Sequence, residues 1–259
     1  MSRTLLAFTI VVVAAVPLTA QAQTRIAIDH NTGAAATSEF KFARVPSPAR
    51  DDAAAHAKVT LVDGQLDSNG ANLTALIDGM LPPSEDEPGA NVFFNARSFG
   101  GRFRIDLGNA IEIAQVNSYS WHPGARGPQL YKLYASDGSE AGLDLAPKRG
   151  VDPATRGWKL IATVNTIPDR GEDGGQYGVS ITDQSGSLGK YRYLLFDCWV
   201  TEAADDWGNT FYSEIDVVAK KWSDRQSKKP SIRDPTWYRT ASGSERDKGL
   251  ACAIAVKRH

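Results

Sequence analysis

The stretch Phe103–Gly138, FRIDLGNAIEIAQVNSYSWHPGARGPQLYKLYASDG, decides the fold class. Apolar residues alternate at Phe103, Ile105 and Leu107, and again at Ile111 and Ile113 before a shift to Val116. A two-residue period is the mark of strands with one buried face. Gly108-Asn109 predicts a turn between the two runs. The chain then leaves the sheet at Trp121-His122-Pro123-Gly124-Ala125-Arg126-Gly127-Pro128, where paired Gly and Pro without apolar periodicity predict a loop. It returns as a strand over Gln129–Ala135 and turns at Ser136-Asp137-Gly138. Two sheet elements thus hold up a loop that carries Trp, His and Arg.

Outward from this stretch the same pattern repeats. Upstream, Thr24–Asp29, Phe40–Val45, Lys58–Val62 and Asn91–Phe94 read as short strands, and Asp52 is placed to cap a short helix through Ala53–Ala57. Downstream, Gly157–Val164, Tyr177–Ile181 and Phe211–Val218 read as strands. Tyr191–Val200, YRYLLFDCWV, is the most apolar run beyond residue 22 and reads as a central strand buried on both faces. Many strands, Gly- and Pro-bearing turns and almost no helical periodicity predict an all-β chain, an antiparallel β-sandwich or jelly roll. Its long loops are expected to gather at the ends of the sandwich.

The two ends of the chain differ from the middle. Residues 1–22 have a positive start at Arg3, an apolar run over Leu5–Val16 and a small-x-small Ala20-Gln21-Ala22, the pattern of a secretory signal peptide. The apolar run is shorter than the roughly 20 residues a membrane span needs. Residues 23–220 are expected to form the folded domain, with 24–66 as added N-terminal strands, and 221–259 a basic tail or linker. From Lys221 the chain carries ten Lys or Arg against four Asp or Glu, and Arg3 is the only charge before residue 23. With a net charge of −1 overall, 23–220 lie eight charges to the negative. An acidic domain is a poor partner for nucleic acid, so none is expected. Export to the medium, periplasm or cell envelope would permit a disulfide between Cys198 and Cys252, stabilising by roughly 4 kcal/mol. The alternative is that Cys198 is a buried thiol in its apolar strand.

Leu76-Ile77-Asp78-Gly79, Phe103–Gly108, Tyr134–Gly138, Gly157-Trp158 and Phe211–Ile215 follow one another in the order seen in discoidin domains, also called coagulation-factor C-type domains. Over about 70–218 the chain resembles that family, whose fold is the galactose-binding-like jelly roll. The resemblance implies a non-catalytic module that binds sugars, lipid head groups or proteins through loops at one end. Carbohydrate, including a cell-envelope glycan, is the partner it favours, and a protein partner in adhesion is the alternative. It also implies a structural calcium, held by a loop Asp and a Glu of the last strand, which correspond to Asp78 and Glu214. A hard cation takes six to eight oxygens, and two carboxylates from distant parts of the chain would supply its charge. The competing reading is a turn-forming Asp78 and a solvent-facing Glu214.

Sugar recognition needs an aromatic face for the C–H side of the ring and planar donors and acceptors for paired hydroxyls. Trp121, His122 and Arg126 supply such a set in one loop, and Trp207 and Asn209 in a second that the family fold brings to the same end. Each has a plainer reading: Trp121 as core, His122 as a turn cap, Arg126 as the partner of a carboxylate. Glu85-Asp86-Glu87 reads as a solvated face. Asp205-Asp206 with Glu172 would be the carboxylates of a glycosidase, but the separation and split pKa values such a pair needs are not legible in sequence. No nucleophile elbow, zinc-binding His pair or phosphate loop occurs.

Overall fold

The computed structural model describes residues 23–221 except 172, 203 and 205. The reading of 1–22 as a signal peptide, the tail beyond 221 and Cys252 therefore lie outside the described residues. Among the described residues eight strands form in chain order: β1 (Thr24–Asn31), β2 (Lys58–Asp63), β3 (Gly100–His122), β4 (Leu130–Ser136), β5 (Lys159–Asn165), β6 (Gly175–Asp183), β7 (Gly189–Trp199) and β8 (Tyr212–Ala219). Every strand pairing is antiparallel. The all-β sandwich expected from the sequence is what the chain forms.

One strand ties the two layers together. The first half of β3 pairs with β2 and β7, and its second half with β6 and β8. The register slips between Asp106 and Ile111, around Gly108 with its φ of 80°. The turn expected at Gly108-Asn109 is thus a bend inside one long strand that changes layers. One layer runs β2-β3-β7-β4-β5 and the other β1-β6-β3-β8. Contacts across the core bring the two halves of β3 face to face: Ser118 Oγ lies 2.8 Å from Tyr131 Oη, and the Phe103 and Tyr212 rings are 6.3 Å apart. The loops after β3, β5 and β7 therefore share one pole of the sandwich. The bend at Gly108, the β6–β7 turn and the ends of β4 and β5 that meet 137–158 share the other.

Alternation sorts the side chains. Phe103, Ile105, Leu133, Leu194, Phe196, Val179 and Ile215 point into the core between the layers. The opposite faces are not left to solvent. Tyr134, Tyr193 and Leu195 form a second cluster with Val62 and Trp158, against which Leu143 and Leu145 of the β4–β5 connection pack. Arg102, paired in the interior with Asp197 at 2.8 Å, holds that connection by donating to the carbonyls of Pro147, Lys148 and Val151. On the other layer, Tyr119 and Trp121 form a third cluster with Phe40 and Val45 of the β1–β2 connection.

Three expected elements differ from what forms. Phe40–Val45 is not a strand: Phe40 has a left-handed φ of 49°, and its ring packs edge-on against Tyr119 and Trp121 while Phe42 stacks on Tyr119. The apolar alternation there serves to cover a sheet face. Ala53–Ala57 is a turn whose Asp52 accepts from the amides of Ala54 and, across the chain, Val217. Asn91–Phe94 contributes only single bridges, Val92 to Tyr212 and Phe94 to Leu66. Tyr191–Val200 matches β7, buried between β3 and β4.

Candidate functional site

The loop after β3 is held by its carbonyls. Thr201 Oγ1 donates to Ala125 O, Ser120 Oγ to Gly127 O and Thr210 Oγ1 to Pro128 O, each at 2.6 Å. Gly174 of the β5–β6 loop passes so close that a Cβ there would lie 2.0 Å from Pro123 O. Neighbouring loops therefore fix 123–129 before any ligand arrives, which spares the ordering cost of binding.

Arg126 links this loop to the one after β7. Its Nη1 donates to Trp207 O at 3.0 Å, and its guanidinium carbon sits 4.4 Å from the centre of the Phe211 ring. The Phe211 amide in turn donates to Arg126 O at 3.0 Å. Phe211 stacks on Phe93 at 4.2 Å and meets the His122 ring edge-on at 4.8 Å. Partial burial lowers the pKa of Arg126 from its ordinary value while the carboxylates of Glu202, Asp86 and Asp67 oppose the shift.

His122 lies under Arg126. The Gly124 amide donates to Nδ1 at 3.0 Å, and Arg126 Nη2 approaches Nε2 at 2.6 Å. A neutral imidazole accepts at one nitrogen only, so the two donors compete for it. Asp86 Oδ1 stands 3.7 Å from Nε2. Burial, helped by the Arg126 charge, pushes the imidazole down to about 4. It is therefore neutral through the physiological range.

The five ligand residues read from the sequence separate here. Trp207 is 76% exposed, while Trp121 is 6% exposed. Trp121 is corrected from a platform candidate to core: the strand period turns residues 119 and 121 to the outer face of β3, where Phe40 covers them. Asn209 is buried, its amide donating to Phe94 O at 3.2 Å, so it stands behind the Trp207 loop rather than on its surface. His122, Arg126 and Trp207 remain together. Asp86 joins them from what reads as a solvated acidic run. Its φ of 57° is left-handed, a conformation that Asp tolerates better than most residues. Nothing local in the sequence separates it from Glu85 and Glu87. Phe211, the stacking partner of Arg126, is legible only as a strand start. Of the carboxylates weighed for catalysis, Asp206 is exposed, and Asp205 and Glu172 lie outside the described residues.

Glu214 and Asp78 are the pair that the resemblance implies as ion ligands. Glu214 is fully buried rather than solvent-facing. Its Oε2 accepts from the Gly79 amide at 2.9 Å, and its Oε1 has no hydrogen-bond partner among the described residues. Burial above all, with Asp216 and Asp78 nearby, pushes its carboxyl up to about 9. Asp78 is exposed and accepts from the Met80 amide at 2.8 Å. Among the described residues no three His, Cys, Asp or Glu side chains group as metal ligands. The donor set fits calcium in part. Glu214 offers an unpartnered buried oxygen beside Asp78, and the remaining oxygens would have to be carbonyls or water.

No family model and no curated protein matches the chain. Among solved structures it is similar to CBM32 modules. One, the CBM32-1 module of a family 31 glycoside hydrolase of Clostridium perfringens, is 16% identical with a TM-score of 0.41, covering 65% of this chain and 98% of that one. A fucose-binding module of Streptococcus pneumoniae is 12% identical with a TM-score of 0.40, covering 66% and 99%. A CBM32 module in complex with 4,5-unsaturated mannuronic acid is 16% identical with a TM-score of 0.37, covering 62% and 92%. Likeness at this level carries no functional argument, and the all-β architecture rests on this chain's own strands.

Proposed function

We propose that this chain is an exported carbohydrate-binding module that acts by binding rather than catalysis. A sugar ring would lie on the Trp207 indole, with Arg126 meeting its hydroxyls, Asp86 holding the polar edge and His122, buried beneath the guanidinium, backing it from behind. One observation carries the reading: Trp207 is the most exposed large apolar side chain described, at 76%, yet its main chain is clamped by a guanidinium stacked on Phe211. An exposed aromatic on a fixed backbone is a platform for the C–H face of a sugar and costs little to pre-order. Monovalent affinity should be weak, roughly high-micromolar to millimolar, because exposed hydroxyls exchange water bonds for protein bonds. The partner we favour is a secreted or cell-envelope glycan. No helix among the described residues is long and apolar enough to cross a membrane.

A glycan array on the full chain, repeated with Trp207→Ala, tests the reading. Binding to a defined sugar that falls with Trp207→Ala supports it. A blank array on folded protein overturns it and turns attention to a protein partner. We further propose a calcium ion at Glu214 and Asp78, supported by the unpartnered Glu214 Oε1. Calorimetric titration of calcium-free protein with calcium checks it: binding by wild type that is lost in Glu214→Gln supports it, and no binding by wild type, or equal binding by Glu214→Gln, overturns it.

A further inference from the structure

The pole opposite the Trp207 loop carries its own cleft. Ser136 closes β4, Lys159 opens β5 and Tyr191 lies near the start of β7, so three strand ends converge there. With Asp137, Glu140 and Trp158 they line a space of about 360 Å³, within the span of small-molecule sites. Its wall is preformed. Trp158 is 3% exposed, and its indole N–H donates to Asp144 O at 2.7 Å. Arg104 donates to Leu145 O at 2.5 Å, and Arg102 holds the chain further along.

The polar groups facing this space are not used up by the protein. Lys159 makes no ion pair among the described residues, and its Nζ lies 5.9 Å from the centre of the Tyr191 ring. Tyr191 is only 9% exposed, and no described residue hydrogen-bonds its hydroxyl. Ser136 Oγ accepts from the Gly138 amide at 3.2 Å, which leaves its own O–H to donate. Asp137 commits Oδ1 to the Ser139 amide and hydroxyl, leaving Oδ2. Glu140 has no ion pair among the described residues. Three residues with hydrogen-bond donors and two with carboxylates thus line one small cleft.

That set selects a ligand class. A metal ion would find two carboxylates beside an ammonium, too few ligands and a repelling charge. An anion would meet Asp137 and Glu140. An apolar ligand would leave five polar groups unpaired. Neighbouring hydroxyls, each able to donate and accept, satisfy both kinds of group. We propose that this cleft is a second ligand site, for a neutral or amine-bearing sugar residue and not for a uronate or sugar phosphate. It stands independently of the Trp207 site. With both sites filled, the chain could engage two points on a glycan and gain avidity without new contacts.

The test is an amide-correlation NMR titration of the full chain with glucose, galactose, glucosamine and glucuronate, following the indole N–H signals of Trp158 and Trp207 separately. Glu140 and Lys159 are exposed, so Glu140→Gln and Lys159→Met should leave the fold intact. The expected result is movement of Trp158 and residues 136–140 with at least one neutral or amine-bearing sugar, no movement with glucuronate, and about tenfold weaker binding in either variant, the effect of one charge-assisted hydrogen bond. Trp207→Ala should leave this response unchanged. Three results would overturn the proposal: no movement at 136–140 with any of these sugars well into the millimolar range, binding by both variants as tight as by wild type, or preferred binding of glucuronate. A response at Trp207 alone would sink this cleft and leave the first site standing; a response at Trp158 alone would do the reverse.

Discussion

Arg126 clamps Trp207 through the main chain, its Nη1 donating to the Trp207 carbonyl at 3.0 Å across 81 residues of sequence. The same guanidinium lies over the Phe211 ring. One side chain therefore fixes where the exposed indole stands. Replacing Arg126 by Ala should weaken sugar binding even though Trp207 is intact. It should also lower stability by about 1–2 kcal/mol, the sum of one hydrogen bond and one cation–π contact. Trp207 fluorescence anisotropy and urea unfolding measure the two effects; unchanged anisotropy in Arg126→Ala would refute the clamp.

Trp121 at the end of β3 and Trp207 in the loop after β7 should behave oppositely. Trp121→Ala empties a buried site beside Phe40 and should cost about 3–5 kcal/mol. Trp207→Ala removes an exposed ring and should change stability by less than about 0.5 kcal/mol. Urea denaturation of both variants checks this, and equal losses would contradict the assignment of Trp121 to the core.

Glu214 and Asp216 give stability a pH dependence of defined sign. Burial pushes Glu214 up to about 9 and Asp216 to about 6, against ordinary values of 4.5 and 3.8. Folded-state values above the unfolded ones favour the fold while the groups are protonated. That contribution is complete below the ordinary values and is lost as pH rises through about 6 and then about 9. Chelated protein should therefore have a falling Tm from pH 5 to pH 9. Calcium requires the carboxylate form, so added calcium should raise Tm more at pH 8 than at pH 5. A Tm that in Glu214→Gln keeps the fall near pH 6 from Asp216 but loses the fall toward pH 9 and the response to calcium would locate those effects at Glu214. Identical curves for the two proteins would remove them from there.

His122 should not act as a pH switch for ligand binding near neutrality. Its imidazole titrates at about 4, below the ordinary 6.5. The neutral form supports the fold above 6.5, and that support is lost as pH falls toward about 4. Sugar affinity should be flat from pH 5.5 to pH 8, measured by NMR titration. A step near pH 6.5 would mean that His122 is solvated when the ligand is bound.

The strands were legible because their cause is local. Alternation at Phe103, Ile105 and Leu107 and the apolar run of Tyr191–Val200 set a period and a burial demand that only a sheet meets. The antiparallel sandwich followed from such runs separated by turns, and the Gly and Pro of Trp121–Pro128 marked a loop, although Trp121 and His122 still belong to β3 and the next strand opens at Leu130 rather than Gln129. What faces a loop or a sheet is not local. Trp121 and Trp207 each sit beside a polar loop, and only the packing of Phe40 and Phe42 from the β1–β2 connection makes one of them core. Asp86 reads like its acidic neighbours until folding sets it 3.7 Å from His122. Glu214 occupies an alternating strand, yet both faces of that layer are covered, so its carboxylate is enclosed. The sequence by itself determined the all-β class and most of the strands, because a strand's period is written in neighbouring residues, although the same alternation at Phe40–Val45 and Asn91–Phe94 forms no strand. The tertiary structure alone decided which side chains meet solvent, because burial depends on segments that arrive from elsewhere in the chain.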